Sequence, residues 1–176
     1  MNIVLGISAS IAAYKSVDLL RALQKREHRV SVVMTPNSCR FVSPLALETF
    51  APGKVFSDSF APGQDPVLHV NLSKENDLLL VAPASADIIG KMAGGIADDL
   101  LSTVYVAFRR RVMVVPAMNS FMYEHPALQA NLARLRGYGA LIVEPEVGEL
   151  ACGDSGRGRF PEIDFIVTRA ESLFTV

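Results

Sequence analysis

The chain has 176 residues, of which 50% are apolar and 20% charged, with 17 Lys plus Arg against 18 Asp plus Glu and a formal net charge of -1. A chain of this length buries roughly 70% of the surface its unfolded form exposes, so one domain over residues 1–176 is expected, without a disulfide or metal staple. Near-neutral charge excludes a general attraction to nucleic acid, whose phosphates are held by clustered Lys and Arg.

Two cysteines and three scattered histidines make no zinc-ligand pattern, and no metal is expected. No apolar stretch approaches the roughly 20 residues that span a bilayer, and the first residues lack a basic region ahead of an apolar core and cleavage site. A cytoplasmic protein with no membrane partner is therefore expected. A mean hydropathy of +0.29 with so little net charge favours a homo-oligomer.

Taken along the chain, residues 3–7 form a continuous apolar run, as expected of a strand buried on both faces. From Ser10, a candidate cap, the period changes to that of a helix, with Ile11, Tyr14, Val17, Leu20 and Leu23 on its apolar stripe. Residues 30–34 are a second strand. The opening is thus a β-α-β unit, which is nearly always parallel and right-handed. Ser43-Pro44 starts a short helix, and residues 51–66, with Pro52, Gly53, Pro62, Gly63 and Pro66, read as a loop excursion.

A strand over 78–81 ends at Pro83, and helices over 85–92 and 97–108 are separated by Gly94-Gly95. A strand over 112–115 ends at Pro116, followed by a helix over 126–136, a strand over 141–143 and a helical tail over 163–173. No repeat or linker interrupts this alternation. The expected fold is α/β: a three-layer Rossmann-like (flavodoxin-like) domain with a mainly parallel sheet.

In such sheets ligands bind beyond the carboxyl ends of the strands. The segments expected there are Gly6 to Ser10, Thr35 to Ser38, Pro83 to Asp87 and Pro116 to Asn119. The first holds neither G-x-G-x-x-G nor a P-loop. Its serines Ser8 and Ser10, with Ser38 and Ser85, would either offer hydroxyls to a monophosphate beside free helix N–H groups or simply cap helices.

His69 lies in Val67-Leu68-His69-Val70-Asn71-Leu72, which, if extended, sets His69 and Asn71 on one face. An acid or base at neutral pH and a structural histidine both remain open. Cys152 lies in a glycine-rich loop with Arg157 and Arg159 nearby, a setting for a reactive thiol or an incidental one. Cys39, beside Arg40-Phe41-Val42 at a helix start, is expected to pack. Arg109-Arg110-Arg111 precedes a strand at its amino end, away from the ligand edge, and reads as a solvated segment or a subunit contact.

Pro116-Ala117-Met118-Asn119-Ser120-Phe121-Met122-Tyr123 resembles the P-x-M-N-x-x-M-W substrate clamp of the homo-oligomeric flavin-containing cysteine decarboxylases. Ala151-Cys152-Gly153-Asp154 with Gly156-x-Gly158-Arg159 resembles their A-C-G-D loop, and His69-x-x-Leu72 and Ala82-Pro83-Ala84-Ser85-Ala86 match as well. Tyr123 stands where the family usually has Trp, and Asp87 where it usually has Asn.

The resemblance implies FMN held by Gly6, Ser8, Ser10, Thr35, Ser38, Ser85, Ala86, Asp87 and Ala117. It implies substrate contacts from Asn119, Met122 and Ala151. His69 is implied as acid or base near the flavin, Asn119 as the holder of the substrate carboxylate, and Cys152 as the proton donor of the last step. The implied reaction is decarboxylation of 4′-phosphopantothenoylcysteine to 4′-phosphopantetheine in coenzyme A biosynthesis, through a thioaldehyde, loss of CO₂ and re-reduction. The resemblance also implies a trimer or dodecamer with sites at subunit contacts. In many bacteria the family's decarboxylase is fused to the synthetase that makes its substrate, for which 176 residues leave no room, so the expectation is either a separate synthetase partner or a chain that is a fragment. A peptidyl-cysteine decarboxylase and a non-enzymatic flavin-binding regulatory protein are the alternative readings. Cys152 weighs against the first, and His69, Asn119 and Cys152 together weigh against the second.

Overall fold

The continuous apolar runs become the sheet. In the computed structural model, which describes residues 1–149, 151, 153 and 155–175, β1 (Asn2–Ile7) lies in parallel between β2 (Arg29–Met34) and β4 (Leu78–Ala84). The two-residue β3 (Val55–Phe56) edges β2, while β5 (Arg111–Pro116) and β6 (Leu141–Ile142) extend the other side. The order β3-β2-β1-β4-β5-β6 is that of the doubly wound fold. Without the short β3 it becomes the flavodoxin order, so both descriptions fit. The chain reverses its progress across the sheet between β1 and β4, which opens a crevice at their carboxyl ends.

Side-chain alternation along the strands builds two cores. Ile3, Leu5 and Ile7, with Val30, Val32 and Met34, face α1 (Ser16–Lys25) and α8 (Ile163–Ser172). Val4, Val33, Leu79, Val81 and Val114 face α3 (Leu68–Glu75), α4 (Ala86–Gly94), α5 (Leu100–Ala107) and α7 (Pro126–Gly137). Each fully buried Leu, Ile or Val is worth roughly 1.5–3 kcal/mol relative to exposure. The three-layer arrangement with a parallel sheet is the expected fold.

Several local readings change. The helix begun at Ser10 is first a 3-10 turn over Ile11–Lys15, and only then α1. With three residues per turn Ile11 and Tyr14 stack outward and stay exposed, so the core stripe is Leu19, Leu20 and Leu23 rather than one running from Ile11. The helix expected from residue 97 starts at Leu100, because Asp99 caps it through a reciprocal capping box with Ser102.

Residues 67–72 are not extended. They open α3, since Leu68 and Leu72 are one helical turn apart and both enter the second core. The loop excursion over 51–66 contains β3, and a short α2 (Pro44–Glu48) precedes it under the Ser43 cap.

Two elements had no sequence reading. One is α6 (Ser120–Glu124); the other is an antiparallel hairpin of β7 (Glu146–Glu149) and β8 (Ser155–Arg159), a two-stranded sheet outside the main one. Of the three arginines at the entry to β5, Arg110 pairs with Asp77 at 2.7 Å and Arg111, the first residue of the strand, lies over the Phe174 ring at 4.3 Å. Cys39 packs against the first core, and burial pushes its thiol up. No described helix is long and apolar enough to cross a membrane.

Candidate functional site at the carboxyl edge of the sheet

The turn after β1 and the start of α4 meet across the switch point. Ser8 is buried, donates through Oγ to Pro83 O at 2.8 Å and accepts from Ser85 N at 2.8 Å. Ser10 Oγ donates to Ala117 O at 2.9 Å and accepts from Ala12 N, so the β1 turn is also sewn to the end of β5. These two hydroxyls therefore tie strand ends together.

Ser85 Oγ accepts from Ile88 N at 3.4 Å as the α4 cap, and Thr35 Oγ1 accepts from Ser38 N at 3.3 Å. Each keeps an O–H hydrogen without a partner among the described residues. Ser38, in contrast, spends its O–H on Thr35 O at 2.7 Å. Gly6 points into the second core, where an added Cβ would sit 2.6 Å from Leu101 Cδ1. The absence of a side chain there permits close helix packing.

Ala86 and Asp87 begin α4, whose first-turn N–H groups have no intrahelical acceptor. The Asp87 side chain is 65% exposed and 3.5 Å from Lys91 Nζ, which also reaches Asp98 at 3.0 Å and Asp99 at 3.1 Å. Burial works against the Lys91 charge, but hydrogen bonds to Asp98 and Asp99 and the fields of Asp99 and Asp87 outweigh it, holding the ammonium above its ordinary range. Asp87 is thus turned toward a cation of its own helix.

Asn119 caps α6, its Oδ1 accepting from Phe121 N at 2.9 Å. Ala117 spends its N–H on Ala84 O at 3.1 Å, and its carbonyl takes the Ser10 bond, so its backbone joins segments. A cleft of about 430 Å³ lies between the starts of α4 and α7, lined by Ala86, Phe121, Met122, His125, Leu128 and Asn131 among others. Phe121 and Met122 remain 74% and 49% exposed along it.

The hairpin closes on this segment because two glycines let it. Met118 N donates to Gly158 O at 3.1 Å, a Cβ on Gly158 would lie 2.1 Å from Met118 O, and one on Gly156 would lie 2.7 Å from Ser120 Cβ. Ala151 is exposed in the turn between β7 and β8. Cys152 belongs to the same stretch of sequence but lies outside the described residues, as do Leu150, Asp154 and Val176.

His69 sits in the first turn of α3, half-buried. Because α3 leads back into the parallel strand β4, it runs against the strands, and its first turn lies at their carboxyl edge. Its ring has no bonded partner among the described residues, while its carbonyl accepts from Ser73 Oγ.

Tyr123 is 3% exposed, and its hydroxyl donates to Glu144. Burial first, then the Glu144 hydrogen bond and charge, push this phenol up to about 12. The sequence signal for the close hairpin contact was the Gly156-x-Gly158 spacing. Glu144, Phe121, His125 and Asn131 carried no comparable signal, because they come together only when α6, α7 and the β6 connection pack.

A doubly wound sheet with this polar crevice, a short capped clamp helix and a glycine-seated hairpin defines a flavoprotein-type α/β class, and the comparisons agree. The family model described as Flavoprotein matches residues 1–174, and the chain belongs to that family. It is 42% identical over 174 residues to the coenzyme A biosynthesis bifunctional protein CoaBC of Bacillus subtilis (strain 168), covering 98% of this chain and 43% of that protein. The chain thus spans less than half the length of that curated relative.

A solved cysteine-to-serine mutant of PPC decarboxylase, complexed with pantothenoylaminoethenethiol, superposes with a TM-score of 0.87 at 31% identity, covering 98% of this chain and 97% of that one. The FMN binding protein AtHal3 superposes with a TM-score of 0.83 at 32% identity, covering 98% and 96%.

Proposed function

We propose that this chain binds FMN and decarboxylates 4′-phosphopantothenoylcysteine to 4′-phosphopantetheine. The observation that carries the reading is the seating of the β7–β8 hairpin on the Met118 to Ser120 segment, which makes the clamp and the hairpin one body beside the switch-point crevice. The similarity to CoaBC and to PPC decarboxylase supports the substrate, and the flavoprotein family and the FMN binding neighbour support the cofactor.

The residues present suit the cofactor. The O–H groups of Ser85 and Thr35 keep donors for a ligand, and the first turn of α4 offers N–H groups suited to a phosphate. The Asp87 carboxylate lies 3.5 Å from Lys91 Nζ, which draws it toward a cation of its own helix. FMN, when bound, supplies a two-electron oxidation of the substrate and the later return of those electrons.

The chain supplies position and protons. Asn119 Nδ2 donates to the substrate carboxylate, and Met122 and Phe121 shield the reacting carbon from water. A His69 ring nitrogen holds the proton released as the substrate is oxidised. The Cys152 thiol delivers the proton that accompanies the final reduction. Ser8, Ser10 and Ala117 hold the crevice walls together. CoaBC relatives are named bifunctional and are more than twice as long as this chain, which supports a synthetase as a second domain or separate partner. A homo-oligomer with shared sites belongs to the same proposal and is supported by the exposed Ile11, Tyr14, Phe121 and Met122 near the crevice edge.

Purified protein should show a flavin absorbance spectrum and release CO₂ from phosphopantothenoylcysteine, with 4′-phosphopantetheine as product by mass. Cys152→Ser should still release CO₂ but accumulate the enethiol. Protein that takes up no FMN and releases no CO₂ when FMN is added overturns the proposal.

A further inference from the structure

The five-residue α6 carries the cap Asn119, yet it is too short to hold its own geometry. Phe121 and Met122 face solvent, so the helix is fixed by Ser120 and above all by the buried Tyr123 ring. The Tyr123 amide donates to Asn119 O at 3.0 Å, so the ring anchors the same turn that Asn119 caps. At its far end the phenol donates to Glu144 Oε2, and Glu144 Oε1 accepts from Arg136 Nη2 near the end of α7. The charge of Arg157 on β8 also reaches the phenol. Glu144 in turn stands just ahead of β7, at the stem of the hairpin.

We propose that Tyr123 and Glu144 are a positioning pair for the reaction, locking α6 to the hairpin stem so that Asn119 and the β7–β8 turn keep a fixed separation. The inference rests on the reading of this site as a cysteine decarboxylase site. Substrate-holding groups work only within about 0.5 Å of their productive placement; apart from the phenol, the far end of this one-turn helix is held by Gln129 Nε2 donating to Tyr123 O, which fixes the backbone but not the ring. The phenol-to-carboxylate bond supplies direction as well as strength, because its acceptor is charged and itself pinned by Arg136. The Tyr123 side chain is buried beneath α6, and its part is exerted through Asn119.

The test uses the full chain loaded with FMN, and the variants Tyr123→Phe, Glu144→Ala and the double variant, each of which removes the donor or the acceptor of the bond. Losing the directed bond should raise KM for phosphopantothenoylcysteine roughly tenfold while kcat changes less and the FMN dissociation constant stays put. The double variant should match the worse single variant, because both remove one interaction. A lower Tm with unchanged KM in both single variants would mean a structural role only and overturn the proposal.

Amide hydrogen exchange at Phe121, Met122 and Tyr123 gives a readout that needs no turnover, and exchange there should quicken in Tyr123→Phe. If the parent protein releases no CO₂, the decarboxylase reading fails, and with it the catalytic purpose of the pair. Unchanged exchange in both single variants refutes the tether itself. Glu144→Ala, at a half-exposed position, keeps the test open should Tyr123→Phe fail to fold.

Discussion

Gly158→Ala isolates the contact on which the proposed function rests. Its φ of +153 is a backbone region that L side chains rarely adopt, and a Cβ there would lie 2.1 Å from the Met118 carbonyl oxygen. Reaching even the 3.0 Å that real Cβ contacts respect requires the hairpin and the clamp segment to part by about 0.9 Å. The 3.1 Å bond from Met118 N to Gly158 O is then lost, at roughly 0.5–1.5 kcal/mol. Retaining the strained backbone instead costs roughly 1–3 kcal/mol.

Either way the cost, roughly 0.5–3 kcal/mol, falls on a two-stranded sheet outside the six-stranded one, so the hairpin opens locally while the main core persists. The expected outcome is a fall in kcat/KM of at least tenfold with FMN uptake intact, since only the closed fraction is competent. Gly53→Ala is the control. Its φ is also positive, at +69, but nothing lies within 4 Å of an added Cβ, so it should cost stability by roughly 1–2 kcal/mol without altering turnover. Steady-state kinetics and urea unfolding of both variants decide the matter. Gly158→Ala with the parent kcat/KM would refute the argument that hairpin seating builds the site.

Ser8→Ala should destabilise the chain by roughly 2–3 kcal/mol in urea unfolding, because it removes two buried hydrogen bonds and leaves Ser85 N without its acceptor. Lys91→Met should lower Tm by a few degrees near neutral pH. Hydrogen bonding to Lys91 lowers the Asp98 carboxyl from 3.8, so this part of the stability is present above that value and is lost as pH falls through the folded pKa. Melting curves of the two proteins should therefore converge in acid. At the alkaline end Tyr123 is raised from 10.0 to about 12, so the folded state keeps a proton that the unfolded state releases. Stability should fall as pH rises between those values, and Tyr123→Phe should remove that part of the slope in alkaline unfolding curves.

Much of the fold was legible because buried parallel strands are continuous apolar runs. Residues 3–7, 30–34, 78–81 and 112–115 became β1, β2, β4 and β5 with small shifts at the ends. Residues 67–72 were ambiguous, since Leu68, Val70 and Leu72 satisfy a period of two while Leu68 and Leu72 satisfy a helical turn. Packing on α5 decided for the helix. The hairpin strands, Glu-Val-Gly-Glu and Ser-Gly-Arg-Gly-Arg, have no apolar run at all. They form because their backbones pair and their glycines seat on Met118 and Ser120, a reason that exists only in three dimensions.

The site residues divide along the same line. The loops beyond the strand ends, and the clamp and hairpin motifs, could be read in one dimension because their spacing is local. The uses of the serines could not. Ser8 and Ser10 spend their hydroxyls between β1, β4 and β5, partners more than seventy positions away. Ser85 and Thr35 retain theirs. That Gly6 leaves room for Leu101, which an added Cβ would meet at 2.6 Å, was likewise not readable from its neighbours in the chain.

The aromatic at position 123 was legible as a ring with an added hydroxyl. That this hydroxyl meets Glu144 depends on how α6 lies against the end of β6. Local sequence determined where strands, caps and motifs lie, because those depend on neighbours along the chain. Which hydroxyls, carboxylates and glycines serve the crevice and which serve the scaffold was decided only by tertiary packing, because a polar group's role is set by the partner that folding brings to it.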